Sequence, residues 1–357
     1  MVKIKEIFKQ MVEKEASDLF LRAGATIRMR ARNEVAPIDD YILTKEDIDH
    51  IVADLTTSSQ RDQFQMRMDL DFAVYEETMG RFRVSIFVQR GSPSLVIRHI
   101  RKDVRNFEEL NLPAKILEKL SLEKRGIVLL TGAAGSGKST TIATMIEYMN
   151  NNVYRHILTV EEPIEFTFTD KKCIINQREL GLDVRSYAFA LKHFTYQSPD
   201  VIFIGNIRDL DTMFASVNAA ETGVLVLSTI HTVNAAQTIE RIINFFAPHQ
   251  HEEIRAQLSM LLKGVISLRL IPRKDGKGSI PAYEVMLLTP TIARLIREGK
   301  IWEIPAFIEQ GQIFGMQSFK QSLVSLVKDG KVDAEVARDF SDSADEFELE
   351  LKGIKRL

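Results

Sequence analysis

The chain has 357 residues, of which 45% are hydrophobic, and this is enough for two or three globular domains with substantial cores. Its 47 basic and 49 acidic residues nearly balance, which excludes the strong positive field typical of nucleic-acid-binding proteins. The single cysteine, Cys173, excludes an internal disulfide, and no Cys/His cluster has metal-site spacing. The composition therefore predicts a globular cytoplasmic protein that does not bind nucleic acid.

The first twenty residues predict an amphipathic helix. Ile4, Phe8 and Met11 share one helical stripe with Ile7 and Val12, whereas a signal peptide would need a continuous apolar core. We interpret this segment as a surface helix of the first domain. An interfacial membrane helix is the alternative, and the acidic residues among its lysines argue against it. Because the apolar runs are far shorter than the ~20 residues that span a bilayer, we expect membrane association only through partners.

Residues 1–101 are expected to form a small α+β domain. Four segments have strand-like patterns, LFLRAG, IRMRAR, RFRVSIFV and SLVIRHI, and a polar helical stretch runs from Lys45 to Gln65. Residues 102–113 are charged and end in a proline before a new helix, which is typical of a linker. The second domain is expected to follow this linker.

Residues 114–289 predict an α/β domain. Short apolar strands, GIVLL, HILTV, VIFIG and VLVLSTI, alternate with helical segments, which indicates a largely parallel sheet covered by helices. The ligand site of such a fold lies at the carboxyl ends of the strands. Beyond Pro290 the periodicity is helical, so we expect a helical region over residues 290–357.

The stretch GIVLLTGAAGSGKSTTIATMIEYM supplies a strand, a glycine-rich loop and a helix. Gly132, Gly137, Lys138 and Ser139 fit the GxxxxGK[ST] pattern, and the flanking elements argue against a simple turn. In this pattern backbone N–H groups surround phosphate oxygens, the lysine reaches the β and γ phosphates, and the serine binds Mg²⁺. We therefore predict an ATP site, with Ser139 as the Mg²⁺ ligand. The predicted nucleotide-binding residues of this loop are Gly132, Ala133, Ala134, Gly135, Ser136, Gly137, Lys138, Ser139 and Thr140.

Further segments accompany this loop: LTVEEPIEF (158–166), INQRELG (175–181), SPDVIFIGNIRD (198–209), AAETG (219–223) and STIHTVNAAQTIERIINFF (228–246). With ASDLFLRAG near the start and GMQSFKQSL near the end, they resemble the type IV pilus retraction ATPases, the PilT/PilU group of the secretion ATPase superfamily. The resemblance covers nearly the whole chain. RIINFF and GMQSF look closer to the PilU branch.

This resemblance implies a RecA-like P-loop ATPase core with a smaller PAS-like N-terminal α+β domain. It implies a hexameric ring, of one chain or mixed with a paralogue, in which ATP turnover drives domain rotations that retract the pilus in twitching motility. It also implies a position at the inner face of the bacterial cytoplasmic membrane, where an inner-membrane pilus platform protein would be a partner.

The resemblance also implies catalytic roles for two residues. Glu161 occupies the position of the base that activates water; the alternative is that Glu161, Glu162 and Glu165 form a solvated acidic face. His231 ends an apolar strand, where the histidine of the family is thought to sense the γ-phosphate. The alternative for His231 is a structural histidine.

Arg83 and Arg98 are predicted to contact the nucleotide across a subunit boundary. Such arginine fingers stabilise charge on the transferring phosphoryl group. The alternative is that they are solvent-facing residues of strands, because side chains alternate between the two faces of a sheet. Arg101 and Arg178 are weaker candidates for the same task.

Asn206 departs from the family pattern. It follows the strand VIFIG where the family carries a glutamate that holds Mg²⁺ through its water shell. Asparagine keeps an acceptor oxygen but loses the charge, and Asp209 and Glu221 have family positions of their own, so neither is expected to replace it. Val224 stands where family members often carry a histidine, and LKHFTYQ lacks the usual arginines.

These departures leave two functional hypotheses open. The first is a motor ATPase of pilus retraction in which Asn206 weakens Mg²⁺ or water handling. The second is a hydrolysis-impaired regulatory or accessory subunit that works with an active paralogue. A nucleic-acid translocase of the same fold would need basic, aromatic-bearing segments, which the sequence does not provide.

Overall fold

The computed structural model describes residues 3–31, 34–100 and 104–354. Two compact units make up the chain. The first comprises Met1–Asp103 with Glu165–Thr167, and the second comprises Val104–Ile164 with Phe168–Leu357. No helix in the described part of the chain has the length and apolar character to cross a membrane.

The first unit is built on a six-stranded antiparallel sheet with three helices. Its strands are β1 Asp18–Arg22, β2 Thr26–Ala31, β3 Glu34–Ile42, β4 Asp69–Glu76, β5 Gly80–Gln89 and β6 Ser92–Ile100. Its helices are α1 Ile4–Glu13, α2 Lys45–Leu55 and α3 Ser58–Arg67. The strands lie in the order β3-β2-β1-β6-β5-β4, and each neighbouring pair is antiparallel.

The core of the first unit includes the apolar stripe of α1. Ile4, Ile7, Phe8 and Met11 are buried, as the sequence predicts. Phe8 stacks on Phe82 of β5 with 4.0 Å between the ring centroids. Because this stripe is part of the core, the alternative of an interfacial membrane helix is wrong.

The polar stretch predicted as helical from Lys45 to Gln65 is two helices. α2 ends at Leu55 and α3 begins at Ser58. Thr57 caps α3, since its Oγ1 accepts a hydrogen bond from Gln60 N at 3.3 Å while Gln60 Oε1 accepts one from Thr57 N at 2.9 Å. A reciprocal capping box of this kind fixes a helix start, so the predicted helical stretch consists of two successive helices.

The second unit is built on a seven-stranded sheet. Its strands are β7 Gly126–Thr131, β8 His156–Glu161, β9 Ile174–Glu179, β10 Val201–Ile204, β11 Leu225–Ile230, β12 Leu262–Pro272 and β13 Ser279–Leu287. The first seven of its helices are α4 Ala114–Ser121, α5 Lys138–Asn152, α6 Tyr187–Phe194, α7 Leu210–Glu221, α8 Ala235–Asn244, α9 His251–Leu261 and α10 Pro290–Glu298. The last four are α11 Ile304–Gln310, α12 Phe319–Lys328, α13 Ala334–Asp339 and α14 Ala344–Leu351. Short 3₁₀ helices occupy Thr195–Gln197, Pro248–Gln250, Ile301–Glu303 and Gly311–Phe314.

The strands of the second sheet lie in the order β13-β12-β7-β11-β10-β8-β9. Every neighbouring pair is parallel except β12 and β13, which confirms the predicted, largely parallel sheet. β7, β10 and β11 are buried at every residue, as is typical of parallel strands with helices on both faces. Helix α10 begins at Pro290, where the sequence predicts a change to helical periodicity.

The C-terminal helices have a small core of their own. Phe319, Leu323 and Phe347 from α12 and α14 are buried together with Ile271 of β12 and Ile280 of β13. The last described helices therefore pack on the outer strand pair of the second sheet. This leaves the carboxyl ends of the central strands as a separate region of the same unit.

Candidate functional site

Four parallel strands end at one edge of the second sheet and bring most of the predicted site residues together. β7 ends at Thr131, β8 at Glu161, β10 at Ile204 and β11 at Ile230. β7 pairs with β11, β11 with β10, and β10 with β8, all in parallel. The residues that follow these strands lie where α/β sheets bind their ligands.

The phosphate loop, residues 132–137, joins β7 to α5. Gly132 has a φ of 140°, and a Cβ there would lie 2.5 Å from the carbonyl oxygen of Leu268 and 2.5 Å from Ser136 Oγ. Gly137 has a φ of 96° immediately before α5. L side chains rarely adopt these conformations, so both glycines are required by the turn itself. The turn directs the N-terminus of α5 to this edge, which favours an anion.

Lys138 is folded back onto the loop. It is 6% exposed, and its Nζ donates hydrogen bonds to the carbonyl oxygens of Gly132 at 2.8 Å and Ala133 at 2.7 Å. A lysine held in this way can exchange carbonyl oxygens for the more strongly bound oxygens of a phosphate. The other predicted residues of this segment lie in the loop or in the first turn of α5: Ala134, Gly135, Ser136, Gly137, Ser139 and Thr140.

Glu161 ends β8 as a buried acid, 6% exposed. Its Oε1 accepts hydrogen bonds from Thr159 Oγ1 at 2.6 Å and from Gln177 Nε2 at 3.2 Å. The neighbouring Glu162 instead forms an ion pair with Arg208, with 3.2 Å between Oε2 and the guanidinium. A solvated acidic face is therefore the wrong description of Glu161, whose carboxylate is oriented by two side chains.

His231 follows β11 directly and lies against the phosphate loop. Ile230 is in register with Thr131, so His231 comes next to Gly132, and the two residues are joined by a hydrogen bond to the Gly132 backbone. The residue is exposed overall, but partial burial of its ring lowers its pKa, and the charge of Lys138 acts in the same direction. The neutral imidazole is therefore favoured beside the loop.

Asn206 lies two residues beyond β10 and is 6% exposed. Its side-chain oxygen and nitrogen are both buried and have no hydrogen-bond partner within residues 3–31, 34–100 and 104–354. The nearby Asp209 is used elsewhere, because it caps α7 by accepting a hydrogen bond from Thr212 N at 2.8 Å. Glu221 accepts one from Gln257 Nε2 at 3.0 Å. Neither acid is placed to do the work of the missing carboxylate.

Arg83 and Arg98 lie in the first unit, directly opposite each other on β5 and β6. Arg98 donates through Nε to the buried carboxylate of Asp18 at 2.9 Å. Arg83 has a looser ion pair, 4.0 Å from the exposed carboxylate of Asp71. The two arginines therefore form part of the first sheet, and Arg83 is the less firmly held of the pair.

Of the two weaker arginine candidates, Arg178 and Arg101, the structure describes only Arg178. Arg178 of β9 donates to the carbonyl oxygen of Asp183 at 2.9 Å, which ties it to the turn that follows its own strand. Arg101 lies outside the described residues.

Sequence reasoning did not single out the residues that hold Glu161. Thr159 precedes the acid by two positions and faces the same side of β8, so strand alternation alone could have identified it. Gln177 lies opposite Thr159 on β9, a neighbour that no local pattern reveals.

Another buried acid, Glu284 of β13, was also missed. Its Oε1 accepts hydrogen bonds from Ala235 N at 2.7 Å and from Ser267 Oγ at 3.5 Å, and Thr131 Oγ1 donates to Ser267 Oγ at 2.9 Å. Burial raises the pKa of Glu284 to about 7. This chain of bonds connects the last residue of β7 to the start of α8, although no motif in the sequence marks it.

Comparison with known proteins agrees with this architecture. Residues 1–280 match the family model described as "Type II/IV secretion system protein". The chain is 41% identical to the type IV pilus ATPase PilU of Pseudomonas aeruginosa over 351 residues, which cover 98% of this chain and 92% of PilU. It is 39% identical to the pilus retraction ATPase PilT of the same organism, over 94% of this chain and 97% of PilT.

A crystal structure of the pilus retraction motor PilT with bound ADP superimposes with a TM-score of 0.91 at 40% identity, covering 98% of this chain and 99% of that one. This match confirms the predicted fold class, a P-loop ATPase core of the RecA type with a smaller N-terminal α+β domain. The chain belongs to the type II/IV secretion system protein family, and its resemblance to the PilT/PilU pilus ATPases is confirmed.

Proposed function

We propose that this protein is an ATP-hydrolysing motor subunit that acts in type IV pilus retraction and twitching motility. The observation that carries the proposal is the convergence of the phosphate loop, the buried Glu161 and His231 at one edge of the second sheet. The names of the relatives PilU and PilT, and the ADP bound to the PilT structure, support the same activity.

The loop residues would bind the triphosphate. Backbone N–H groups between Gly132 and Thr140 would surround the phosphate oxygens, and Lys138 would move from the carbonyls of Gly132 and Ala133 to the β and γ phosphates. Ser136 Oγ is buried without a hydrogen-bond partner among the described residues, so a bound phosphate oxygen would satisfy it. The loop therefore has both the shape and the unmet hydrogen-bonding capacity that a phosphate requires.

The residues present also fit Mg²⁺. Sites for this ion need only one or two protein oxygens beside phosphates and waters; Ser139 would supply one, and the buried side-chain oxygen of Asn206 would accept a hydrogen bond from a water of the ion. Bound Mg²⁺ would neutralise charge on the phosphate oxygens. Because Asn206 is neutral, we expect this protein to bind the ion more weakly than a relative with a carboxylate at that position.

Glu161 would accept the proton of the attacking water. Thr159 and Gln177 fix its orientation in advance, so little reorganisation is needed when ATP binds. His231 would contact the γ-phosphate from the end of β11. After hydrolysis and release of the phosphate, His231 would lose this contact, and the loss would signal that the phosphate has left. Arg83, which is less firmly held than Arg98, is the better candidate for a phosphate contact from a neighbouring subunit.

The assembly in which this subunit would act is a hexameric ring, formed by one chain or mixed with a paralogue. We place the ring at the cytoplasmic face of the inner membrane, where it would bind an inner-membrane platform protein of the pilus. Membrane association would run through that partner. These proposals follow from the resemblance to the pilus ATPases and are tested by the size of the assembled particle and by co-purification with the platform protein.

Turnover by the purified protein and its Asn206→Glu variant tests the proposed activity. We expect slow but measurable hydrolysis by the wild type and an increase of about 10- to 100-fold in the variant, because a carboxylate restores charge beside Mg²⁺. Asn206→Gln is the matched control, since it has the length of glutamate without its charge, and it should not accelerate the reaction.

The same measurement separates the two hypotheses. A wild-type rate that is high and unchanged by the substitution would exclude a hydrolysis-impaired accessory subunit, which the similarities to retraction ATPases do not favour. No turnover by the wild type, with recovery in Asn206→Glu, would instead exclude a motor that works alone.

A further inference from the structure

Tyr187 is a buried tyrosine whose hydroxyl the predicted mechanism does not use. It is the first residue of α6 and is 8% exposed. Its Oη is buried and has no hydrogen-bond partner in residues 3–31, 34–100 and 104–354. A buried hydroxyl without a partner is costly, and phenylalanine would fill the same space without that cost. The hydroxyl therefore points to a ligand or a water as its hydrogen-bond partner.

The hydroxyl of Tyr187 lies over the carboxyl end of β10. A Cβ built on Gly205 would be 3.2 Å from Tyr187 Oη and 3.2 Å from the Cα of Glu161. Ile204 is in register with Val160, so Gly205 and Glu161 come next on their strands and face the same side of the sheet. The Tyr187 hydroxyl thus lies close to the backbone of Gly205 and Glu161, in a space too narrow for a side chain at residue 205 and beside the residue that carries the proposed base.

Asn206 provides an independent sign that a polar group enters this region. It follows Gly205 directly, and neither polar atom of its buried side chain has a partner in the described part of the chain. We propose that Tyr187 is a further catalytic residue of the nucleotide site, and that its hydroxyl hydrogen-bonds the water that Glu161 activates when ATP is bound. This inference rests on the proposed ATPase function.

The proposed step balances without any change in the protonation of Tyr187. The water oxygen forms a bond to the γ-phosphorus, the bond from that phosphorus to the β–γ bridging oxygen breaks, and a water proton passes to Glu161. Tyr187 keeps its own proton throughout, because burial and then the nearby carboxylate of Glu162 raise its pKa above the ordinary range, against the opposing charge of Arg208. Its neutral hydroxyl therefore orients the water and neither gains nor loses charge.

Tyr187→Phe tests this inference because it removes the hydroxyl and keeps the ring. We expect kcat to fall about tenfold, the effect of one hydrogen bond, with the KM for ATP and the Kd for ADP unchanged. The melting temperature without nucleotide should stay the same or rise, because a buried unsatisfied hydroxyl is lost. Tyr196→Phe is the matched control, since that tyrosine is 82% exposed, and it should change none of these quantities.

Each outcome decides the inference. An unchanged kcat would overturn it, as would a lower kcat accompanied by a lower melting temperature and weaker ADP binding, which would indicate a packing role. If wild-type turnover is too slow to compare, both tyrosine variants are measured in the Asn206→Glu background. If the Asn206→Glu protein hydrolyses ATP at the same rate with and without Tyr187→Phe, only the role of Tyr187 is refuted. No hydrolysis in either background refutes the proposed function, and the inference falls with it.

Discussion

At the scale of single residues, Glu284 shows how burial changes the chemistry of a side chain. The residue is 7% exposed, and burial is the first cause that raises its pKa to about 7 from the ordinary value of 4.5. Hydrogen bonds from Ala235 N and Ser267 Oγ only partly offset this effect. Between these two pKa values the folded protein therefore binds more protons than the unfolded chain.

The stability of the protein should consequently fall as the pH rises from 4.5 to about 7, and the full loss should persist above that range. Glu284→Gln cannot ionise and should remove this pH dependence. The effect of the substitution on the free energy of unfolding should therefore be more favourable at pH 8 than at pH 5 by about 1–3 kcal/mol. Denaturant unfolding of both proteins at the two pH values measures it. The exposed Glu240 supplies the control Glu240→Gln, and an equal effect of Glu284→Gln at both pH values would contradict the prediction.

At the scale of secondary-structure elements, the connection from β7 through the phosphate loop to α5 determines the site. Gly132 and Gly135 both have positive φ, but their surroundings differ. A Cβ at Gly132 would meet the Leu268 carbonyl at 2.5 Å, whereas nothing lies within 4 Å of one at Gly135. The loop is therefore confined at its start and open in its middle.

Gly132→Ala should accordingly destabilise the second unit by about 1–3 kcal/mol and lower ADP affinity at least about tenfold, because the loop must move away from β12. Gly135→Ala should cost only about 1 kcal/mol from its backbone conformation. Thermal unfolding and calorimetric titration with ADP measure the two effects. Equal losses in both variants would show that φ alone, and not the contact with Leu268, restricts Gly132.

The elements also show which parts of the site a sequence can predict. The strand, loop and helix around Lys138 are contiguous in the chain and carry a spacing pattern, so their geometry follows directly. Gln177 and Tyr187 come near Glu161 only because β9 pairs with β8 and α6 packs beside it. No local periodicity encodes such neighbours, so they were missed.

At the scale of the whole molecule, the described part of each unit has its own hydrophobic core. The first unit is centred on residues such as Phe8, Leu19, Phe82 and Ile97, and none of them belongs to the cores of the second unit. Cores that share no residues are expected to respond separately to mutation.

Phe8→Ala should therefore destabilise the first unit by about 3–5 kcal/mol, because it removes a buried ring that stacks on Phe82. Added ADP should raise only the transition of the second unit, which contains the phosphate loop. Scanning calorimetry with and without ADP measures both transitions. Tyr75→Ala, at a tyrosine 62% exposed in the same unit, is the control and should have little effect. A shift of the ADP-sensitive transition by Phe8→Ala would contradict the prediction.

The sequence alone determined the features that are local in the chain: the phosphate loop, the alternation of strands and helices, the stripe of α1 and the loss of charge at Asn206. Motifs and periodicity carry these because they depend on residues a few positions apart. Only the tertiary structure decided that Glu161 is buried and held by Thr159 and Gln177, and that the Tyr187 hydroxyl lies close to the backbone of Gly205 and Glu161. Burial and contact between distant segments arise from strand pairing and helix packing, and patterns among residues a few positions apart do not specify these.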